Sequence, residues 1–129
     1  MPTALVTGAG RGIGLATARA FLKEGWKVLA LDKQFGAEVA GDRVDYDLTG
    51  LAGIPQLVTR LGAIDTLVNN AGVLYCEPYD AIPEAHVAEI IAVNLRAPVA
   101  LIEALAPQMR ERKSGRIVNV GSVAAFTGH

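Results

Sequence analysis

Short apolar runs alternate along the chain with longer stretches in which apolar side chains recur every three or four positions. The first run, "ALVT" (Ala4–Thr7), stops at Gly8 and reads as a buried strand. From Ile13 the apolar positions Ile13, Ala16, Ala20 and Phe21 predict a helix that Gly25 terminates. "KVLAL" (Lys27–Leu31) is a second strand ending at Asp32, Arg43–Tyr46 a weaker third and "TLVN" (Thr66–Asn69) a fourth, with a short helix over Leu51–Leu61 between the last two. A long helical region runs from Pro83 to about Arg112, and Pro98, which has no amide to donate, is expected to divide or kink it. Its later part carries Leu101, Leu105 and Met109 on one stripe, and "RIVNV" (Arg116–Val120) follows as a fifth strand. Nearly all-apolar strands alternating with helices predict an α/β domain, residues 1–129, with a doubly wound parallel sheet covered on both faces. Such sheets bind ligands outside the carboxyl ends of their strands.

Composition narrows the function classes. Twelve basic and thirteen acidic side chains give a net charge of -1, without the basic excess that binding nucleic acid or an anionic membrane surface requires. No apolar stretch reads as long enough to span a bilayer, and "MPTALVTGAG" lacks the basic start of a signal peptide. The one cysteine, Cys76, can form no internal disulfide, which suits a reducing cytoplasm, and it reads as a packing residue. Trp26 also reads as packing. His86 and His129 have no partner at ligand or triad spacing, so no metal site is expected.

The chemistry concentrates in "TGAGRGIG", between the first strand and the first helix. The G-x-G-x-x-G fingerprint fails, because from Gly8 or Gly10 its last glycine would fall on Ile13 or Leu15. Gly8-x-x-x-Gly12-x-Gly14 meets the same demands: backbone close to a pyrophosphate, amides of a helix N-terminus aimed at it, and tight helix–strand packing. Asp32, twenty residues past Gly12, ends the second strand where a carboxylate can accept hydrogen bonds from a ribose diol. A carboxylate there repels a 2′-phosphate, whereas Arg11 and Lys33 could pair with one. NAD is therefore the expected cofactor ahead of NADP. No Gly-Lys-Ser/Thr occurs, which disfavours a phosphate-binding P-loop.

With these residues in place the chain resembles the short-chain dehydrogenase/reductase family, whose cofactor domain is Rossmann-like. "TGAGRGIG" is similar to its glycine turn, "DLT" (Asp47–Thr49) to the segment beside the adenine, and "NNAG" (Asn69–Gly72) to the turn after strand four. "VNL" (Val93–Leu95) and "GRIVNVGS" (Gly115–Ser122) follow in the family's order. The resemblance implies cofactor contacts at Gly8, Arg11, Gly12, Ile13, Gly14, Asp32, Asp47, Leu48, Asn69, Ala71 and Gly72, with Asn70 tying neighbouring strands together. It implies two catalytic residues: Asn94, holding a water of the proton relay, and Ser122, bonding the oxygen of a small alcohol or ketone substrate. It also implies a homodimer or homotetramer.

The family's acid–base pair, Tyr-x-x-x-Lys, is expected a little over a dozen residues beyond the serine. Tyr46, Tyr75 and Tyr79 are the tyrosines present, and none has a lysine four residues on. The chain therefore reads as the N-terminal portion of an NAD(P)-dependent oxidoreductase, binding dinucleotide but incomplete for catalysis. An apolar last strand left as a sheet edge supports that reading. The alternatives are a non-catalytic nucleotide sensor or interaction module, and a methyltransferase-like domain, against which "NNAG" and the serine count.

Overall fold

The computed structural model describes residues 1–127, so His129 lies outside the described residues. Five strands, β1 (Thr3–Thr7), β2 (Lys27–Asp32), β3 (Asp42–Asp45), β4 (Thr66–Asn69) and β5 (Arg116–Asn119), form one sheet in the order β3-β2-β1-β4-β5. Every neighbouring pair is parallel. The helices are α1 (Gly12–Lys23), α2 (Ile54–Leu61), α3 (Glu84–Ile91), α4 (Ala97–Arg112) and the short α5 (Ala124–Thr127). The chain builds outwards from β1 to β3, then returns to place β4 on the other side of β1. The sheet thus has its switch point between β1 and β4.

The third strand lies one residue earlier than the alternation suggests, yet Tyr46 N–H still donates to Asp32 O at 3.1 Å, continuing the ladder. The helix predicted over 51–61 begins as a single 3₁₀ turn, Leu51–Gly53, and becomes α-helical at Ile54, with Pro55 in its first turn where no amide is needed.

Period-two alternation sorts the strand side chains into two unlike faces. Leu5, Leu29, Leu31 and Leu67 pack with Leu57 of α2 and with Leu101, Leu105 and Met109 of α4. The opposite face presents Ala4, Val6, Val28, Ala30 and Val68, and there α1 contributes Ala18. Small side chains on that face let α1 lie close to the sheet.

This corrects the predicted face of α1. Its buried positions are Gly14 and Ala18, with Leu15 and Phe21 packed beside them, while Ala16 and Ala20 are exposed and Ile13 is 67% exposed. Hydrophobicity alone favoured Ile13. Close approach demands a residue without a side chain at the contact, and that rotates the helix by about one position.

The division at Pro98 takes a specific form. α3 and α4 are joined by one wide π-helical turn, Ala92–Arg96, immediately before the proline. Pro98 offers no amide to the preceding turn, and its ring needs room there, which a widened turn supplies. Pro107, inside α4, lies on the exposed side. Taken as one run, Glu84–Arg112 is long and apolar enough, by length and composition, to cross a membrane, contrary to the reading of shorter stretches. Ala97, Leu101, Leu105 and Met109 recur at intervals of four and are buried, the pattern of a helix seated on a core.

Trp26 packs edge-on against Phe21 at 4.9 Å. Cys76, by contrast, is exposed and not a core packing residue. β5 is an edge strand, with Ile117, Val118 and Val120 each roughly two-fifths exposed. Leu105 is fully buried between α4 and the sheet. Leu105→Ala should lower stability by about 2–5 kcal/mol, read as a lower urea midpoint at unchanged m-value.

Candidate functional site

A cleft of about 540 Å³ opens at the carboxyl ends of the strands, over the switch point. The turn from β1 into α1 forms one wall. Gly8 and Gly12 adopt φ of +65° and +57°, a region that side chains disfavour. Gly14 sits so near the strand that an added Cβ would lie 2.0 Å from Gly8 O and 2.6 Å from the side-chain amide of Asn70. Gly10 is equally constrained: a Cβ there would lie 2.2 Å from Gln34 O and 2.8 Å from Asp32 Oδ2. The site residues read from the sequence omitted Gly10, and its signal was the second glycine of "TGAG".

α1 begins without a cap. Arg11, in the N-cap position, is extended and makes no side-chain cap bond, and the first turn contains no acid. Leu15 N–H donates to Arg11 O, so the amides of Gly12, Ile13 and Gly14 have no acceptor within the helix. Gly12 and Ile13 line the cleft. Donors without an acceptor among the described residues and the positive end of a twelve-residue helix dipole therefore face it together.

Asp32 stands opposite. Its Oδ2 accepts Gly10 N–H at 2.9 Å, and its Oδ1 accepts the amides of Lys33 at 2.8 Å and Gln34 at 3.4 Å. The carboxylate is thereby fixed at the cleft wall, with lone pairs to spare. Asp47 and Leu48 form the floor with Tyr46. Asp47 Oδ1 accepts Thr49 N–H at 3.0 Å and Thr49 Oγ1 at 2.8 Å. The Thr49 amide foremost, then its hydroxyl, holds the Asp47 carboxyl below the usual aspartate range, although partial desolvation works against them.

The turn after β4 closes the cleft. Thr7 Oγ1 accepts the amides of Asn70 and Ala71, each at 3.0 Å, and donates to Val68 O at 3.3 Å. In return Asn70 Nδ2 donates to the carbonyls of Thr7 at 3.2 Å and Gly8 at 3.3 Å. Asn70 thus ties β4 to β1, the role the resemblance gave it. Thr7 is its unforeseen partner, signalled only by one polar side chain at the end of "ALVT".

Nine of the residues read from the sequence line the cleft: Gly8, Arg11, Gly12, Ile13, Asp32, Asp47, Leu48, Ala71 and Gly72. Gly14 lies behind the lining, in the helix–strand contact. Asn69 is buried, donating from Nδ2 to Asn119 Oδ1 at 3.0 Å, and its own Oδ1 meets no donor among the described residues. Asn94 lies on the π turn, where its Oδ1 accepts Val73 N–H at 2.8 Å and its Nδ2 donates to Val73 O at 3.0 Å. Ser122 is exposed and away from the lining, and its Oγ accepts Ala124 N–H at 3.1 Å, capping α5. His86, which the sequence left without a partner, bonds Glu77 and stacks on Tyr75 with ring centroids 3.8 Å apart. Lys33 Nζ lies 3.5 Å from Glu89 Oε2. Neither pairing falls on a helical spacing, so the pattern could not signal them.

Two outcomes follow. Asn70→Ala strands two part-buried carbonyls and should cost about 1–3 kcal/mol, with Thr7→Val non-additive to it in a urea-denaturation double-mutant cycle. The Asp47 carboxyl should titrate below the ordinary aspartate value by NMR and move only part of the way back in Thr49→Val, because the amide remains. Having a depressed folded pKa, it adds stability above the unfolded value, near ~4, which is lost as pH falls through the folded value.

The short chain dehydrogenase family model matches residues 2–129. Among curated relatives, the short chain dehydrogenase adrF of Penicillium rubens is 39% identical over 134 residues, a match covering 96% of this chain and 52% of the relative. Among solved structures, 4-hydroxyisoleucine dehydrogenase complexed with NADH superposes with a TM-score of 0.92 at 30% identity, covering 100% of this chain and 59% of that one. A metagenomic short-chain oxidoreductase in complex with NADP gives a TM-score of 0.86 at 34% identity, covering 95% and 63%. The chain spans about half the length of the curated relatives it matches. With the glycine turn, the "NNAG" turn and the sheet order all in agreement, the chain belongs to the short-chain dehydrogenase/reductase family.

Proposed function

We propose that the cleft binds a nicotinamide dinucleotide, NAD ahead of NADP, and that the protein is an oxidoreductase interconverting a small alcohol and ketone. The observation that carries this is the uncapped start of α1, whose free amides share a cleft with the fixed Asp32 carboxylate. One end suits a diphosphate and the other a vicinal diol. The space required fits too, since Gly8, Gly10 and Gly14 admit no side chain.

In this reading the amides of Gly12 and Ile13 hold the pyrophosphate with Arg11 beside it. Asp32 accepts from the adenosine ribose, Asp47 and Leu48 flank the adenine, and Ala71 and Gly72 support the nicotinamide half. Asn69 acts from behind that half through the strand ends. The bound nicotinamide supplies or accepts a hydride. Asn94 anchors Val73 and, through the turn that Pro98 widens, holds a water of the proton relay. Ser122 bonds the substrate oxygen, and the proton donor is a Tyr-x-x-x-Lys pair, absent from residues 1–129. We further assign residues 1–129 to one dinucleotide-binding domain of a cytoplasmic protein that assembles as a homodimer or homotetramer.

NADH at one hundred times its Kd should stabilise the chain by about 2.7 kcal/mol, visible as a higher melting temperature. Absence of any shift with both NADH and NADPH at millimolar dose would end this reading. Asp32→Asn keeps an acceptor for Gly10 but removes the charge. It should narrow the gap between the two nucleotides about tenfold, measured as the ratio of their Kd values.

A further inference from the structure

We propose that Glu89 sets the preference between the two nicotinamide nucleotides by holding Lys33 away from the position of a 2′-phosphate, an inference that rests on the cleft binding a dinucleotide as above. Lys33 follows Asp32 directly and lines the cleft, so its flexible stem can bring a cation to the same ribose that Asp32 faces. Its Nζ instead lies 3.5 Å from Glu89 Oε2 on α3. Glu89 is itself held in place, because Oε1 accepts the Tyr75 hydroxyl. The Tyr75 ring lies flat on His86, whose Nδ1 in turn meets Glu77. Pinned at its second oxygen, the Glu89 carboxylate is a fixed anchor for the lysine.

The charge pattern at this end of the cleft then favours a free ribose hydroxyl. A 2′-phosphate would face the Asp32 carboxylate without the neighbouring cation that could compensate it. Arg11 lines the cleft as well and has no carboxylate partner among the described residues, but it sits on the turn into α1, beside the pyrophosphate position. Lys33 is thus the cation whose availability differs between a paired and an unpaired state. Its side chain is 51% exposed and that of Glu89 21%, so the pair is too solvated to matter greatly for folding. Its consequence lies in the difference between two ligands.

The test measures Kd for NADH and NADPH at low salt with the full 129-residue chain and its variants. Glu89→Gln should tighten NADPH roughly three- to fivefold and leave NADH within about twofold, the most that releasing one solvated ion pair can return. Lys33→Met alone should barely change the ratio, because the lysine is already withheld. Lys33→Met combined with Glu89→Gln should erase the gain. Glu89→Ala, which also frees the lysine, should repeat the result of Glu89→Gln. Tyr75→Phe keeps the charge pair but frees the Glu89 carboxylate of its second contact, so its ratio should move part of the way towards that of Glu89→Gln. The inference fails if Glu89→Gln and Glu89→Ala leave the ratio unchanged, or if the gain survives loss of Lys33. A parent chain that binds neither nucleotide overturns the cleft reading and this inference together. A parent that binds both with an unresponsive ratio overturns this inference alone.

Discussion

Everything at the carboxyl edge of this sheet hangs on how closely α1 can approach β1. The start of the helix touches the strand at Gly14 against Gly8 O, where a single methyl group would collide. The side-chain amide of Asn70 occupies the remaining gap and bonds the two strand-end carbonyls. Thr7 answers by accepting two amides of the turn after β4. Helix, first strand and fourth strand are thereby locked at the switch point of the sheet. The cleft exists because these three elements meet there with only the Asn70 amide between them.

That lock also decides the electrostatics. An uncapped helix start would ordinarily take a serine or aspartate cap, worth about 1 kcal/mol. Here the position is Arg11, and the free amides are left facing the cleft. The acid that could have served as a cap sits across the gap instead, fixed by the amides of Gly10, Lys33 and Gln34. Local stability of the helix start is given up for a polarised cleft, a trade characteristic of functional sites.

The kinked helix belongs to the same design at longer range. Pro98 opens the turn before it, and that turn carries Asn94 to the backbone of Val73, three residues beyond Asn70. The loop after β4 is thus clasped at Asn70–Ala71 by β1 and at Val73 by the helix. The long loop that follows to α3 is steadied by side-chain pairs instead: Tyr75 with Glu89, and His86 with Glu77.

Much of this was legible in residue order. Strand, turn and helix boundaries are local consequences of apolar period, glycine and proline, and the five-strand sheet emerged from them with its ends shifted by at most a residue or so. Of the nine cleft-lining residues, the glycine turn and Asp32 were legible from spacing and the others through the family resemblance. They meet because strand ends in a parallel sheet all open on one edge. What the order of residues could not express was distance across the chain. Gly14 rather than Ile13 faces the sheet because close packing outranks hydrophobicity at a contact with no room. Gly10, Thr7 and the Lys33–Glu89 pair matter only for what folding brings beside them, up to 64 residues away in the case of Thr7 and Ala71. Periodicity reports which side of an element is buried; only the packed structure decides which polar groups meet.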